Sequence, residues 1–165
     1  MDLSLSSSAR AASAEEAAYR IDAPIAPARA ARVMALDAGA AAVARSVQDG
    51  PWANAHFFVC EGVALDGGST VGLILRGLDG TPASLDDELA SADVVVMIAT
   101  EDSGAVCASG IGRACWERSI QTAGLVLGDG SAALAAVAAL RPHARVLLPS
   151  ADQTDVVELL TALRA

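Results

Sequence analysis

The chain has 165 residues, which is the size of one domain, and 53% of them are hydrophobic although only 3% are aromatic. Its formal net charge is −9, and all 11 basic residues are arginine. This balance argues against nucleic-acid binding, which depends on clustered positive charge. Because the sequence has no lysine, a Walker-type phosphate loop and Schiff-base chemistry are excluded.

Residues 1–30 are rich in serine, alanine and proline and have no strand pattern, so they are predicted to form an N-terminal arm. Residues 31–165 are predicted to form a single α/β domain. Pro24 and Pro27 force an extended path into it. The arm is either disordered or laid across a neighbouring subunit of a homo-oligomer. We favour the second alternative because the arm has apolar side chains to bury, namely Leu3, Leu5, Tyr19 and Ile21.

Apolar, β-branched runs then alternate with helical segments along the rest of the chain. Strands are predicted at Arg32–Leu36, His56–Cys60, Thr70–Leu75, Asp93–Ala99, Ala123–Leu127 and Arg145–Leu148. Helices are predicted at Ala40–Gln48, Ser84–Ala90, Ala105–Arg118, Ser131–Leu140 and Gln153–Leu163. This alternation predicts a doubly wound, Rossmann-like α/β fold, with a mostly parallel sheet of about six strands and helices on both faces.

Local signals refine this pattern. Glycine-rich Glu61–Thr81 is predicted to be a hairpin-like excursion or a mobile loop. Ser84 and Asp152, each followed by an aspartate three residues later, are predicted to begin helices. Strands covered on both faces lack a polar side, so a set of strand residues should be among the most buried. These are Val94, Val96, Ile98, Leu125, Leu127, Val146 and Leu148.

The segment Ala92–Gly112, ADVVVMIATEDSGAVCASGIG, is an apolar strand that breaks into a polar turn and then a glycine-bearing helix. Ligands of open α/β sheets lie beyond the carboxyl ends of the strands, next to helix N-termini. We therefore predict a small-molecule site where this turn meets the loop after the first strand. The predicted binding residues are Gly39, Asp102, Ser103, Gly104, Ser109 and Gly110. The alternative is that these glycines only allow close packing of helix and sheet.

Almost every predicted strand ends in a carboxylate. The residues are Asp37, Glu61, Glu101, Asp102, Asp129 and Asp152. If they share one crevice, they suit Mg²⁺, Ca²⁺ or a cationic organic ligand, and Asp37, Glu101 and Asp102 are the predicted metal ligands. The sequence leaves the cofactor unknown beyond this possible magnesium ion. Aspartate is also a preferred helix N-cap, so capping is the competing interpretation.

The three cysteines, Cys60, Cys107 and Cys115, are odd in number and show no CxxC spacing, so we expect reduced thiols rather than disulfides or zinc ligands. A reactive thiol is the alternative at Cys60 and Cys107, which lie near predicted strand ends. No apolar run approaches the length of a membrane span, and the N-terminus has no basic segment followed by an apolar one. We therefore expect a soluble, cytoplasmic protein without a membrane partner.

The order of features over residues 32–163 resembles the nucleotide-binding domain of the tubulin/FtsZ-type GTPases. RVMALDAGAAAVARSVQDG is similar to their first strand, glycine loop and first helix, and SLDDELASADVVVMIAT is similar to the helix and strand before their phosphate loop. Their GGGTGTG loop falls on Glu101–Cys107, EDSGAVC, where only Gly104 remains and two acids intrude. The resemblance therefore implies a degenerate relative that does not hydrolyse GTP and is kept for binding or assembly.

Three functions are consistent with this sequence. The first is a non-catalytic, self-associating module that binds a small molecule or cation. The second is a magnesium-dependent enzyme that uses the strand-end carboxylates. The third is a structural scaffold for protein interactions. Whether the protein is an enzyme stays open at this point. Carboxylates that converge would favour the enzyme, and carboxylates that fold back onto helices would favour the scaffold.

Overall fold

A seven-stranded sheet forms the centre of the structure, a computed structural model that describes residues 26–66 and 69–165. Its strands are β1 Ala31–Ala35, β2 Ala55–Asp66, β3 Ser69–Gly77, β4 Pro82–Ala83, β5 Val94–Ala99, β6 Gln121–Leu127 and β7 Val146–Ala151. The strand order is β4-β3-β2-β1-β5-β6-β7. Strands β2, β1, β5, β6 and β7 are parallel, whereas β3 is antiparallel to both β2 and β4. The expected count of about six strands missed β4, which has only two residues.

Helices lie against both sides of this sheet. They are α1 Ala38–Val47, α2 Leu85–Ala90, α3 Ala105–Glu117, α4 Leu134–Leu140 and α5 Gln153–Leu163. Successive strand residues point to opposite faces, so Val33 and Val96 pack with α1 and α5. Met34 and Met97 pack instead with α2, α3 and α4. The coarse prediction of an α/β sheet-and-helix fold is confirmed.

The glycine-rich segment after β2 forms a hairpin. Strand β2 pairs with β3 in antiparallel fashion, with a shift of register between Cys60 and Gly62. Gly62 has a φ of +119°, which favours glycine at this bulge. The Gly67-Gly68 pair lies outside the described residues. The hairpin alternative for Glu61–Thr81 is therefore confirmed for the strands on either side of that pair.

Burial follows the position of each strand in the sheet. Val96, Ile98 and Leu125, on the central strands β5 and β6, are fully buried. The prediction is wrong for Val146, which is 47% exposed, and for Leu127 and Leu148, which are only half-buried. Strand β7 pairs only with β6 and forms an edge of the sheet, so neighbours cover it on one side only.

Two helix starts are confirmed by their capping contacts. The Ser84 side chain accepts a hydrogen bond from the backbone N–H of Asp87. The Asp152 carboxylate accepts hydrogen bonds from Thr154 and Asp155, and the Asp155 carboxylate accepts one from the N–H of Asp152. The sequence spacing at both sites thus marks a side chain that satisfies amides at the helix N-terminus.

Of the predicted N-terminal arm, residues 1–25 lie outside the described residues. The N–H of Arg29 donates to the carbonyl of Arg164 over 3.0 Å. The N–H of Ala30 donates to the carboxylate of Asp93 over 2.8 Å. Residues 29 and 30 are thus attached to the end of α5 and to the residue before β5. In the described segments, no helix is both long enough and apolar enough to cross a membrane.

Candidate functional site

The chain reverses its direction of travel across the sheet at β1, which lies between β2 and β5. In open α/β sheets, ligands bind in the crevice outside the carboxyl ends of the two strands that flank such a point. Here the crevice would lie between the loop after β1, which begins at Leu36, and the loop Thr100–Gly104 after β5. These are the two loops to which the sequence pattern assigns the ligand.

Asp37 occupies this crevice and joins the two loops. Its side chain is buried, and Oδ1 accepts hydrogen bonds from the Ala40 N–H at 2.8 Å and the Thr100 hydroxyl at 2.5 Å. Oδ2 accepts from the N–H groups of Thr100 and Glu101 at 2.7 and 3.2 Å. The carboxylate therefore caps α1 and also fixes the turn after β5. With four donors around it, Asp37 is engaged by the protein itself.

Two glycines bring these loops into direct contact. A Cβ atom on Gly39 would overlap the side chain of Thr100. A Cβ atom on Gly104 would lie 2.7 Å from the Cβ atom of Leu36, closer than two side chains can approach. Both glycines thus occupy positions where the β1 and β5 loops pack against each other. Protein atoms of the two loops therefore fill this part of the crevice.

The other two predicted metal ligands also contact protein groups. Asp102 accepts hydrogen bonds from Ala135 and Ala136 at 2.6 and 3.3 Å, so it caps α4 from a position 33 residues earlier in the chain. Glu101 accepts one from the Ser103 hydroxyl at 2.8 Å. Asp37, Glu101 and Asp102 do not form a metal-binding group, and residues 26–66 and 69–165 contain no group of three or more such side chains.

The remaining strand-end acids are dispersed along the edge of the sheet. Asp129 accepts two hydrogen bonds from Ser131, from its hydroxyl at 2.6 Å and its N–H at 2.9 Å. These bonds stabilise the ionised form and lower the pKa of Asp129. Glu61 forms an ion pair of 2.7 Å with Arg76 on the neighbouring strand β3. Asp152 caps α5. Each of these acids therefore has a partner of its own.

An open cavity adjoins the packed part of the crevice, and residues of both loops line it, Asp37 after β1 and Glu101 and Ser103 after β5. Its volume is about 510 Å³, and it is bounded by the loop after β1, residues 59–62 in the middle of β2, α1 as far as Arg45 and the start of α3. The apolar part of its wall includes Leu36, Ala41 and Val59. The polar part includes Asp37, Arg45, Glu61, Glu101 and Ser103. This strand-end cavity is the candidate functional site.

Sequence reasoning assigned Ser103 to a ligand site and missed Arg45. The signal for Arg45 is its spacing in α1, because residues 38, 41 and 45 fall on one face of a helix and all three line the cavity. Ser109 and Gly110 lie elsewhere. They line a second cavity of about 600 Å³ between α3 and the β3–β4 corner, together with Val106 and Arg113. The predicted binding residues are thus divided between two cavities and the packed crevice.

The wall of the strand-end cavity also contains a disulfide. Cys60 and Cys107 are bonded to each other, with their Cα atoms 6.2 Å apart. The expectation of three reduced thiols is therefore wrong for this pair. Cys60 lies on the face of β2 that α3 covers, and Cys107 lies in the first turn of α3, so the two side chains meet although 47 residues separate them. Spacing along the sequence carries no signal for this pairing.

Cys115 is the third cysteine and remains unpaired in a different environment. It lies two turns further along α3, is buried, and packs against the sheet with Ile111. Burial raises the pKa of the Cys115 thiol to about 12, although the positive charge of Arg118 lowers it slightly. This thiol is protonated and unreactive at neutral pH.

Comparisons with known proteins assign this chain to no group. No protein-family model matches the sequence, and no curated protein matches it. The resemblance to tubulin/FtsZ-type GTPases stays a prediction.

Proposed function

We propose that this protein binds a small polar organic molecule in the strand-end cavity and does not convert it chemically. The observation that carries the proposal is the cavity itself, whose volume of about 510 Å³ falls in the range of small-molecule sites. An apolar wall with a few convergent polar groups is typical of such sites. The four donors around Asp37 also make that carboxylate unavailable as a base or a metal ligand.

The charges around the cavity favour a ligand with both an anionic and a cationic group. Arg45 is exposed, and no acidic side chain in the described part of the chain forms an ion pair with it. Its guanidinium group suits a carboxylate. Glu61 is already neutralised by Arg76, so Glu101 is the acid that remains for an ammonium group. A zwitterion the size of a free amino acid meets these conditions.

Thermal-shift measurements with a panel of free amino acids test this proposal. A ligand that binds only the folded state raises the melting temperature in proportion to its occupancy. We expect at least one amino acid to raise it in the wild type, and Arg45→Gln to abolish the increase. Arg141→Gln, an exposed change next to α4, should retain the increase. A panel without any shift, or equal losses in both variants, would contradict the proposal.

The same screen tests the two other ligand hypotheses. A degenerate relative of the tubulin/FtsZ-type GTPases should show no metal-free binding of GTP or ATP, because two acids stand where the phosphate loop falls and no lysine is present. Micromolar binding without metal would overturn that expectation. A magnesium site would require Asp37, Glu101 and Asp102 to leave their present hydrogen bonds, so Mg²⁺ alone should not raise the melting temperature.

Self-association is a second candidate function, and it is favoured by Trp116. This side chain lies on α3 and is 74% exposed, in a chain that has only two tryptophans. Exposed aromatic side chains are typical of protein interfaces. Residues 26–29 line a cavity with Ser119 and Gln121, which are close to Trp116 in sequence.

Light scattering tests this candidate. If residues 1–28 and Trp116 contribute to a dimer, deleting those residues or introducing Trp116→Ala should reduce the measured mass toward that of a monomer. Leu134→Ala removes another exposed apolar side chain, one on α4, and should leave the mass unchanged. A monomeric wild type would remove the basis for the proposal.

A further inference from the structure

The disulfide between β2 and α3 lies at an unusual place for a purely structural cross-link. Cys60 and Cys107 are 3% and 2% exposed, and both residues belong to the wall of the strand-end cavity. We propose that this disulfide is a reversible redox site, which a small thiol reduces after entering the cavity. The inference concerns the cysteine pair alone and does not depend on the proposed amino-acid ligand.

Cys115 differs from the disulfide pair in its position relative to the cavities. Cys115 belongs to the same helix and the same face of the sheet, yet none of the described cavities is lined by it. Thiol–disulfide exchange requires access of an attacking thiolate to a sulfur atom. Cys60 and Cys107 line the open cavity, so in this proposal the cavity is the route by which a thiolate reaches a sulfur atom. The fold keeps the third cysteine away from solvent.

The structure also distinguishes the two sulfur atoms as leaving groups. Cys107 lies in the first turn of α3, a helix of 13 residues. A 3-10 turn, Asp102–Gly104, leads directly into this helix, and the N–H of Ala105 donates to the carbonyl of Asp102, so the helix dipole rather than a set of free amides acts on Cys107. Such a position stabilises a thiolate. Since the more stable thiolate leaves faster, Cys107 should leave and Cys60 should be attacked.

The exchange then proceeds in two balanced steps. The thiolate of the small molecule attacks Sγ of Cys60, a new S–S bond forms, and the electron pair of the broken bond goes to Sγ of Cys107. A second thiolate attacks the small-molecule sulfur of the mixed disulfide and releases Cys60 as a thiolate, which takes up a proton. In sum, one protein disulfide and two small thiols give two protein thiols and one small disulfide.

Counting thiols by mass tests the proposal on the intact, folded protein. The protein is treated with dithiothreitol under native conditions, the reagent is removed at acid pH, and the cysteines are alkylated in urea. We expect one alkylated cysteine before treatment and three after it. The Cys115→Ala variant should give none before and two after. A disulfide that is reduced only after unfolding, or three free thiols in the untreated protein, would overturn the proposal.

The route through the cavity has its own measurement. With limiting 2-mercaptoethanol, peptide mapping of the quenched protein should locate the mixed disulfide on Cys60. Glutathione, a larger thiol, should reduce the folded protein about tenfold more slowly than 2-mercaptoethanol, since access to the sulfur limits the rate. An adduct confined to Cys107, or equal rates for the two thiols, would overturn this route.

Discussion

Two neighbouring regions at the carboxyl edge of the sheet differ in how they use the same kind of residues. Between β1 and β5, the four bonds to Asp37 and the close approach at Gly39 fill the crevice with protein atoms. Beside it, between β1, β2 and the turn that contains Glu101 and Ser103, a cavity of about 510 Å³ stays open. The reversal of strand order therefore locates the region of the candidate site but not which part of it stays open. The side chains at the strand ends decide which gap is filled.

The hairpin explains why the second region stays open. Strand β2 continues past Cys60 into a long antiparallel pair with β3. No helix follows β2 directly, so no aspartate caps a helix at this place. The ion pair between Glu61 and Arg76 belongs to that hairpin. Asp37 and Asp152 cap the helices that follow β1 and β7, whereas Glu101 and Asp129 bond to serines in the turns after β5 and β6. Glu61 lies in the strand that continues into the hairpin. It pairs with Arg76 on the neighbouring strand and leaves room beside β1.

The largest expected loss of stability comes from a substitution in the central strand β5. Val96 lies in the middle of β5 with no exposed surface, so Val96→Asp would place a charge where no partner is available. We expect the domain to be unfolded in circular dichroism and to show no cooperative melting. Val146→Asp is the matched control, because this side chain on edge strand β7 is 47% exposed. Similar melting of the two variants would contradict the assignment of central and edge strands.

The disulfide in the open region should have the next largest effect. A cross-link between residues separated by 47 positions restricts the unfolded chain, and in the chain-entropy model this stabilises the fold by about 4 kcal/mol. Replacing Cys60 and Cys107 together by alanine should therefore lower the free energy of unfolding in urea by about that amount.

Dithiothreitol provides the control for this effect. It should lower the stability of the wild type but leave that of the double alanine variant unchanged. A wild type that dithiothreitol does not destabilise would contradict the contribution of the disulfide.

Removing the Asp37 carboxylate from the filled crevice should lower the free energy of unfolding by a smaller amount. Asp37→Ala leaves the amides of Ala40, Thr100 and Glu101 without their acceptor. We expect a loss of about 3 kcal/mol in the free energy of unfolding, since unpaired buried donors are costly. Asp37→Asn keeps one carbonyl oxygen and should lose less.

Glu101→Ala changes an exposed acid beside the open cavity and should shift stability by less than about 0.5 kcal/mol. Equal losses for Asp37→Ala and Glu101→Ala in urea unfolding would contradict the comparison of the two regions.

Local sequence signals predicted the elements well and the contacts between distant elements poorly. Strand β5 and helix α3 begin or end within one residue of their predicted limits, because apolar runs and turn residues act over a few positions. The capping of α4 by Asp102 joins residues 33 positions apart, and the bond between Cys60 and Cys107 joins residues 47 apart. Such pairs depend on how helices are placed on the sheet. A periodicity in one segment does not contain that information.

The smallest expected effect concerns Asp129, at the far end of the same sheet edge. Its carboxylate is exposed and is bonded by Ser131 only two residues away, unlike Asp37, whose partner Thr100 is 63 residues away. The Ser131 hydroxyl is the largest cause of its lowered pKa, followed by the Ser131 N–H. The stabilising contribution is therefore complete above the unfolded value of 3.8 and is lost as pH falls through the lower folded value.

Carboxyl-carbon NMR titrations of the wild type and Ser131→Ala measure this effect. Removing the hydroxyl should raise the pKa of Asp129 part of the way toward its ordinary value, because the backbone N–H of residue 131 still donates. Asp79 provides an internal control, since its pKa is lowered by Thr81 and should not respond. The melting temperature at neutral pH should stay unchanged, as expected for an exposed, local contact. An unchanged pKa of Asp129 would show that the hydroxyl does not hold this turn, whereas a large loss of stability would give it the structural role that Asp37 has between β1 and β5.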